Sequence, residues 1–194
     1  LCNDATLRED GQEWHMQGDP TEGALMTLAL KAGLDPHFEA EAMPRIDVIP
    51  FESEHRFMAT LHHDHRGHAL VYLKGAPERV LEMCSRQRQA GGKDAPVDHK
   101  FWQAGIELLA GSGHRVLALA VAPKPREQVE LSFDDVGEGL TLLALAGIMD
   151  PPRDEARRAV AACHSAGISV KMITGDHAVT AEAIARAMGI VHQD

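Results

Sequence analysis

The chain has 194 residues, 44% of them apolar and 25% charged, enough to bury a core in one large domain or two small ones. A formal net charge of −10 speaks against a nucleic-acid partner, which selects a basic face, but leaves room for an anionic small ligand held by a few local cations. Three dispersed cysteines with no CxxC pair argue against a zinc site or a disulfide framework. Twelve histidines make the charge sensitive to pH between about 5.5 and 7. No apolar run approaches the roughly 18 residues of a membrane span, and the opening Leu1-Cys2-Asn3-Asp4 does not read as a signal peptide. The expectation is a cytosolic piece of a longer chain, with no direct membrane insertion of its own.

The first predicted helix runs from about Thr21 to Ala32. Asp19 is a suitable N-cap, Pro20 fits the first helical position, and Glu22 stands three residues after the cap, as in a capping box. Leu25, Leu28 and Ala29 supply an apolar stripe, and Gly33 closes the helix. Strands are predicted over 45–51, 57–61 and 69–73, the last two flanking a hairpin turn with four histidines in seven residues, 62–68. That tip is expected to be solvated, because two strands cannot readily enclose a metal. Lys74-Gly75-Ala76-Pro77 leads into a short helix reaching Cys84; 89–96 reads as loop, 100–110 as helix and 115–121 as strand. Residues 123–139 read as a mobile surface loop.

This first portion implies an α+β layout, an antiparallel sheet flanked by helices. The grammar then changes to strand 141–149, helix 155–166, strand 169–174 and helix 178–188. Such alternation implies parallel strands in a partial α/β, Rossmann-like segment, whose strand-helix order resembles that of the haloacid-dehalogenase family. The expected domains are 1–147 and 148–194.

Thr174-Gly175-Asp176 falls between a predicted strand and a helix, where backbone amides and the Thr174 hydroxyl could hold a phosphoryl group. Asp176 could equally be a plain helix cap. Asp150-Pro151-Pro152-Arg153 suits a rigid hinge, or an ordinary proline-led helix start. Lys74-Gly75 puts a cation at a strand end where a missing side chain would admit a ligand, though a surface turn explains it too. Phe51 could stack on a nucleobase or simply join the core. Arg115 could reach a phosphate or stand as a solvated strand-end charge.

The order of these motifs decides among the readings. Gly18-Asp19-Pro20-Thr21-Glu22-Gly23-Ala24-Leu25, Pro50-Phe51-Glu52-Ser53-Glu54, Lys74-Gly75-Ala76-Pro77-Glu78, Arg115-Val116-Leu117-Ala118-Leu119-Ala120, Asp150-Pro151-Pro152-Arg153 and Met172-Ile173-Thr174-Gly175-Asp176 together resemble the P-type ATPases, nearest to the bacterial calcium-pump-like branch. The resemblance implies a nucleotide-binding domain continued into part of a phosphorylation domain, in a pump of a bacterial inner membrane. It implies ATP with Mg2+, Glu22 on the adenine amino group, Phe51 stacked on the ring, Lys74 and Gly75 lining the pocket, and Arg115 on the phosphates. Arg56 keeps a cation where the family has Lys, while His55 replaces its neighbouring Arg and weakens the local positive field.

Residues 174–176 would edge the phosphorylation site, and 150–153 would form one hinge strand. The implied partners are ATP and the remainder of the same pump: its membrane helices, its actuator domain and the rest of its phosphorylation domain. No metal ligand is assigned within the chain. The family's Asp-Lys-Thr-Gly-Thr and Gly-Asp-Gly-x-Asn-Asp segments do not occur in these 194 residues, so ATP binding without turnover is expected. Two other classes stay open: a haloacid-dehalogenase-type phosphatase, which would need an Asp-x-Asp absent here, and a non-catalytic nucleotide-sensing module.

Overall fold

A computed structural model describes residues 1–11, 13–149, 152–174 and 178–191. They form two compact units, the first comprising 1–99 and 117–146, the second 100–116 and 147–194.

The first unit opens with a hairpin, β1 (Thr6–Asp10) paired antiparallel to β2 (Glu13–Gln17). Helix α1 (Pro20–Lys31) starts as expected: the Asp19 carboxylate accepts from the amides of Thr21 and Glu22, with Pro20 at the first position. Helix α2 (Pro36–Ala42) repeats this start with Asp35, whose carboxylate accepts from His37 and Phe38.

The remaining strands are β3 (Arg45–Ile49), β4 (Phe57–His63), β5 (Ala69–Gly75), β6 (Cys84–Arg88), β7 (Asp94–Pro96), β8 (Arg115–Lys124) and β9 (Leu140–Ile148). They lie in one seven-stranded sheet, ordered β3-β4-β5-β8-β9-β6-β7. The expected antiparallel sheet is corrected to a mixed one. β3, β4, β5 and β8 run antiparallel in turn, but β6 pairs parallel to β9. The physical reason is the connection: helix α3 (Pro77–Met83) turns the chain directly into β6, on the far flank of the sheet from β4. The predicted loop over 89–96 holds over 89–93, which turn the chain, and is corrected at Asp94–Pro96, which pair with β6 as an antiparallel hairpin.

The core is built on β4, whose residues from Phe57 to His62 are all buried, together with β5 and β9. Phe57, Leu61, Val71, Leu73, Val80, Met83, Val136, Leu140 and Leu142 are fully buried, each such side chain stabilising the fold by about 1.5–3 kcal/mol before entropy is counted. The stretch predicted as a mobile loop is anchored. β8 runs through Lys124, whose ammonium donates to the Asp135 carbonyl at 2.5 Å, and the Leu131 amide donates to Asp47 Oδ2 at 2.7 Å. A short 3-10 turn, Phe133–Asp135, carries its own capping box from Ser132.

In the second unit are α4 (His99–Gly111), whose first residue still belongs to the first unit, α5 (Asp154–Ser165) and α6 (Ala178–Ala187). After α5 the chain turns left-handed at Gly167, and the Ile168 amide returns to the Cys163 carbonyl at 2.9 Å. The predicted strand over 169–174 is not formed, and Ile173 is 98% exposed. A strand exists only through a pairing partner, which an apolar run by itself does not guarantee.

Candidate functional site

β4 begins, and β5 ends, at the same edge of the sheet: Phe57 faces Gly75, and Met58 faces Lys74. Strand alternation sends Lys74 to the face covered by α1 and the N-terminal segment. There its side chain is 8% exposed and donates to Glu22 Oε1 at 2.5 Å and to Asn3 Oδ1 at 2.8 Å. Glu22 Oε2 accepts from the amides of Asp4 and Ala5 at 3.1 and 2.9 Å. The carboxylate expected in a capping box is directed at Lys74 and the N-terminal segment instead. A carboxylate has about four acceptor sites, so one remains for a further donor. The same face holds an apolar cavity of about 550 Å³, with Leu25, Tyr72, Lys74 and Leu119 in its lining.

Gly75 has no side chain for a reason the chain itself supplies. A Cβ there would lie 2.5 Å from the Arg56 carbonyl oxygen and 2.7 Å from Phe57 Cβ. The space expected to admit a ligand is filled by the start of β4, and the Ala76 amide bonds that same carbonyl at 2.9 Å.

Phe51 stands two residues beyond the end of β3, on the side where β4 begins, and is 61% exposed. It does not join the core. The loop carrying it is closed by two bonds: the Arg56 amide to the Glu52 carbonyl at 2.8 Å, and His55 Nε2–H to the Pro50 carbonyl at 2.9 Å. Arg56, exposed, takes a left-handed backbone (φ 61°), which points its carbonyl at Gly75 and Ala76. The His55 ring meets Phe57 and Phe133 edge-on, with centroids 4.7 and 5.1 Å away.

The structure thus brings Glu22 and Lys74 into direct contact and sets Arg56 against Gly75. Arg115 opens β8 and belongs to the second unit. Of the hinge, Pro152 and Arg153 precede α5, with Arg153 at its N-cap position, while Asp150 and Pro151 lie outside the described residues. Thr174 is described; Gly175 and Asp176 are not. Asn3 and Phe133 were not singled out from sequence: Asn3 meets Lys74 across 71 positions, and no local pattern announces such a contact.

The histidine-rich turn is only partly a solvated tip. His62 is buried, its Nδ1–H donating to the Met43 carbonyl and its Nε2 accepting from the Thr60 hydroxyl; burial pushes its pKa down and keeps it neutral. His63 and His65 donate from Nε2 to the carbonyls of Gln128 and Glu41. His68 Nδ1 lies 2.7 Å from Asp64 Oδ2.

An α+β domain that sets a buried cation and an exposed aromatic ring at one sheet edge is consistent with nucleotide binding. Comparison with known proteins defines the family. The family model described as P-type ATPase, cytoplasmic domain N, matches residues 1–155, and the chain belongs to that family. Among its relatives, the cation-transporting ATPase pma1 of Synechocystis sp. is 46% identical over 190 residues, covering 98% of this chain and 21% of the relative. The probable cation-transporting ATPase F of Mycobacterium bovis is 45% identical over 189 residues, covering 97% and 21%. The calcium-transporting ATPase of Bacillus subtilis is 34% identical over 193 residues, covering 98% and 22%. The chain therefore spans about a fifth of the length of these relatives (21–22%).

Proposed function

We propose that this chain binds ATP in a P-type cation pump and presents its γ-phosphate to an aspartate carried elsewhere in that pump. The observation that carries the reading is Phe51: an aromatic ring left 61% exposed on a loop whose backbone is tied at both sides of it. In the proposal the ring stacks on adenine, and the remaining acceptor site of Glu22 takes the adenine amino group. Lys74, already neutralised in part by Glu22, lines the pocket; Gly75 lets β5 pass close against the start of β4, and Arg56 adds an exposed cation. Arg115 is assigned to the phosphates by the family resemblance.

Residues 148–194 are proposed as part of the phosphorylation domain, with 150–153 as a hinge and Thr174, Gly175 and Asp176 at the edge of its site. Among the described residues no group of three or more His, Cys, Asp or Glu side chains could hold a metal. In the proposal magnesium arrives with the triphosphate. Among the described residues no helix is long and apolar enough to cross a membrane. The ion path, the actuator and the rest of the phosphorylation domain belong, on this reading, to the remainder of a pump in a bacterial inner membrane.

Amide chemical-shift mapping with ATP and GTP tests the assignment. ATP is expected to bind more tightly than GTP and to move residues 51–56 and 74–76; shifts confined to other segments would contradict it. In a phosphate-release assay the isolated chain is expected to show no turnover, because the nucleophile's segment is absent from its sequence.

A further inference from the structure

The Phe51 loop contains more fixed geometry than its exposure suggests. The two carbonyls that flank Phe51, those of Pro50 and Glu52, are each bonded, to His55 Nε2–H at 2.9 Å and to the Arg56 amide at 2.8 Å. A change of backbone conformation at Phe51 would disturb them. The Arg56 amide is backbone and indifferent to sequence, whereas the bond to Pro50 depends on one side chain. That side chain is held in turn: Phe57, itself buried, and Phe133 both meet the His55 ring edge-on, and Phe133 comes from the segment between β8 and β9, far along the chain. Phe57 and Phe133 also meet each other, with centroids 6.1 Å apart.

We propose that His55 is the positioning residue of the Phe51 platform and that Phe133 braces it, so that both set nucleotide affinity without touching nucleotide. The proposal rests on the reading of Phe51 as the adenine platform. Its physical basis is preorganisation: a backbone already fixed around the ring leaves fewer degrees of freedom to lose when a base stacks on it. By charge alone, His55 in place of an arginine only weakens the local positive field. The geometry gives it a different task, for which an arginine's charge is not needed and an N–H donor at the position of Nε2 is.

The test measures ATP affinity by NMR titration of the 194-residue chain and four variants, each checked for a dispersed amide spectrum. Phe51→Ala is the control for the underlying reading. His55→Phe keeps a ring and removes the donor; it is expected to weaken ATP binding by about 2- to 10-fold, the scale of one lost hydrogen bond. His55→Gln restores a donor where Nε2 stood and is expected to recover affinity to within about 2-fold of wild type. Phe133→Leu, which leaves the donor but removes the brace, is expected to fall between them.

Normal affinity in both His55→Phe and Phe133→Leu, with Phe51→Ala impaired, overturns the positioning proposal alone. Normal affinity in Phe51→Ala overturns the reading beneath it. A loss in His55→Phe that His55→Gln does not recover also overturns the role assigned to the donor. Should His55→Phe fail to fold, Phe133→Leu decides the proposal: a loss supports it, and wild-type affinity overturns it.

Discussion

Two regions at the same edge of the sheet are held by opposite means. Around Lys74 the side chains are buried and charged, and Glu22, Asn3 and the amides of Asp4 and Ala5 satisfy them. Around Phe51 the backbone is bonded and the side chain is left to solvent. The first arrangement makes the ion pair part of the fold, so disturbing it should cost stability. The second separates binding from stability, so removing the ring should cost affinity and little else.

The sharpest way to break this contrast is to unpair the buried cation. Glu22→Ala leaves the Lys74 ammonium, 8% exposed, with Asn3 as its named partner and leaves two N-terminal amides without their acceptor. A loss of about 3–5 kcal/mol is expected in urea unfolding, the scale for one deleted member of a buried pair. A loss below about 1 kcal/mol, the scale of an exposed pair, would show that the pair behaves as a surface one.

Gly75→Ala comes next, because it strikes the seam between the two regions. The added carbon meets a backbone oxygen at 2.5 Å, and the oxygen belongs to Arg56, whose position shapes the Phe51 loop. Overpacking of this kind costs about 1–3 kcal/mol, and ATP affinity is expected to fall with stability. Unchanged urea midpoints and affinity would show that the seam gives way freely. Phe51→Ala is expected to shift unfolding stability by no more than about 0.5 kcal/mol, as for surface positions generally. A larger change by the same measurement would place the ring in the fold rather than in the site.

The smallest effect lies at the far end of the β4–β5 hairpin. The Asp64 carboxylate is hydrogen-bonded by the side chain and amide of His68 and by the amide of Arg66, which together lower its pKa to about 2. A carboxyl depressed on folding stabilises the turn above its ordinary value and loses that contribution as pH falls towards the folded value. Carbon-13 titration should therefore find Asp64 ionising near pH 2, and His68→Ala should move it back towards the ordinary carboxylate range. An Asp64 midpoint unaffected by His68→Ala would contradict the pairing.

What could be read from the sequence divides along a physical line. Local rules worked where the determinant is local: Asp19-Pro20 starts α1, and two strand-like segments around an Asp-Gly-bearing turn give the β4–β5 hairpin. The family motifs pointed to Phe51 and Lys74, and the structure places both at one sheet edge. What escaped depends on partners far along the chain. The polar run Cys84-Ser85-Arg86-Gln87-Arg88 becomes a strand because β9 lies beside it in parallel, while the more strand-like 169–174 does not. Glu22 looked like half of a capping box from its spacing alone, but its partner is 52 residues away. His55 was visible as a substitution of charge, while its work in the loop required the position of Phe133, which nothing near His55 in sequence records.

The most direct test of the central claim is the ATP affinity of Phe51→Ala against wild type, by NMR titration of the same chain. Loss of one base–aromatic stack predicts binding about 10- to 100-fold weaker on an unchanged fold. Equal affinity in the two proteins would contradict the account.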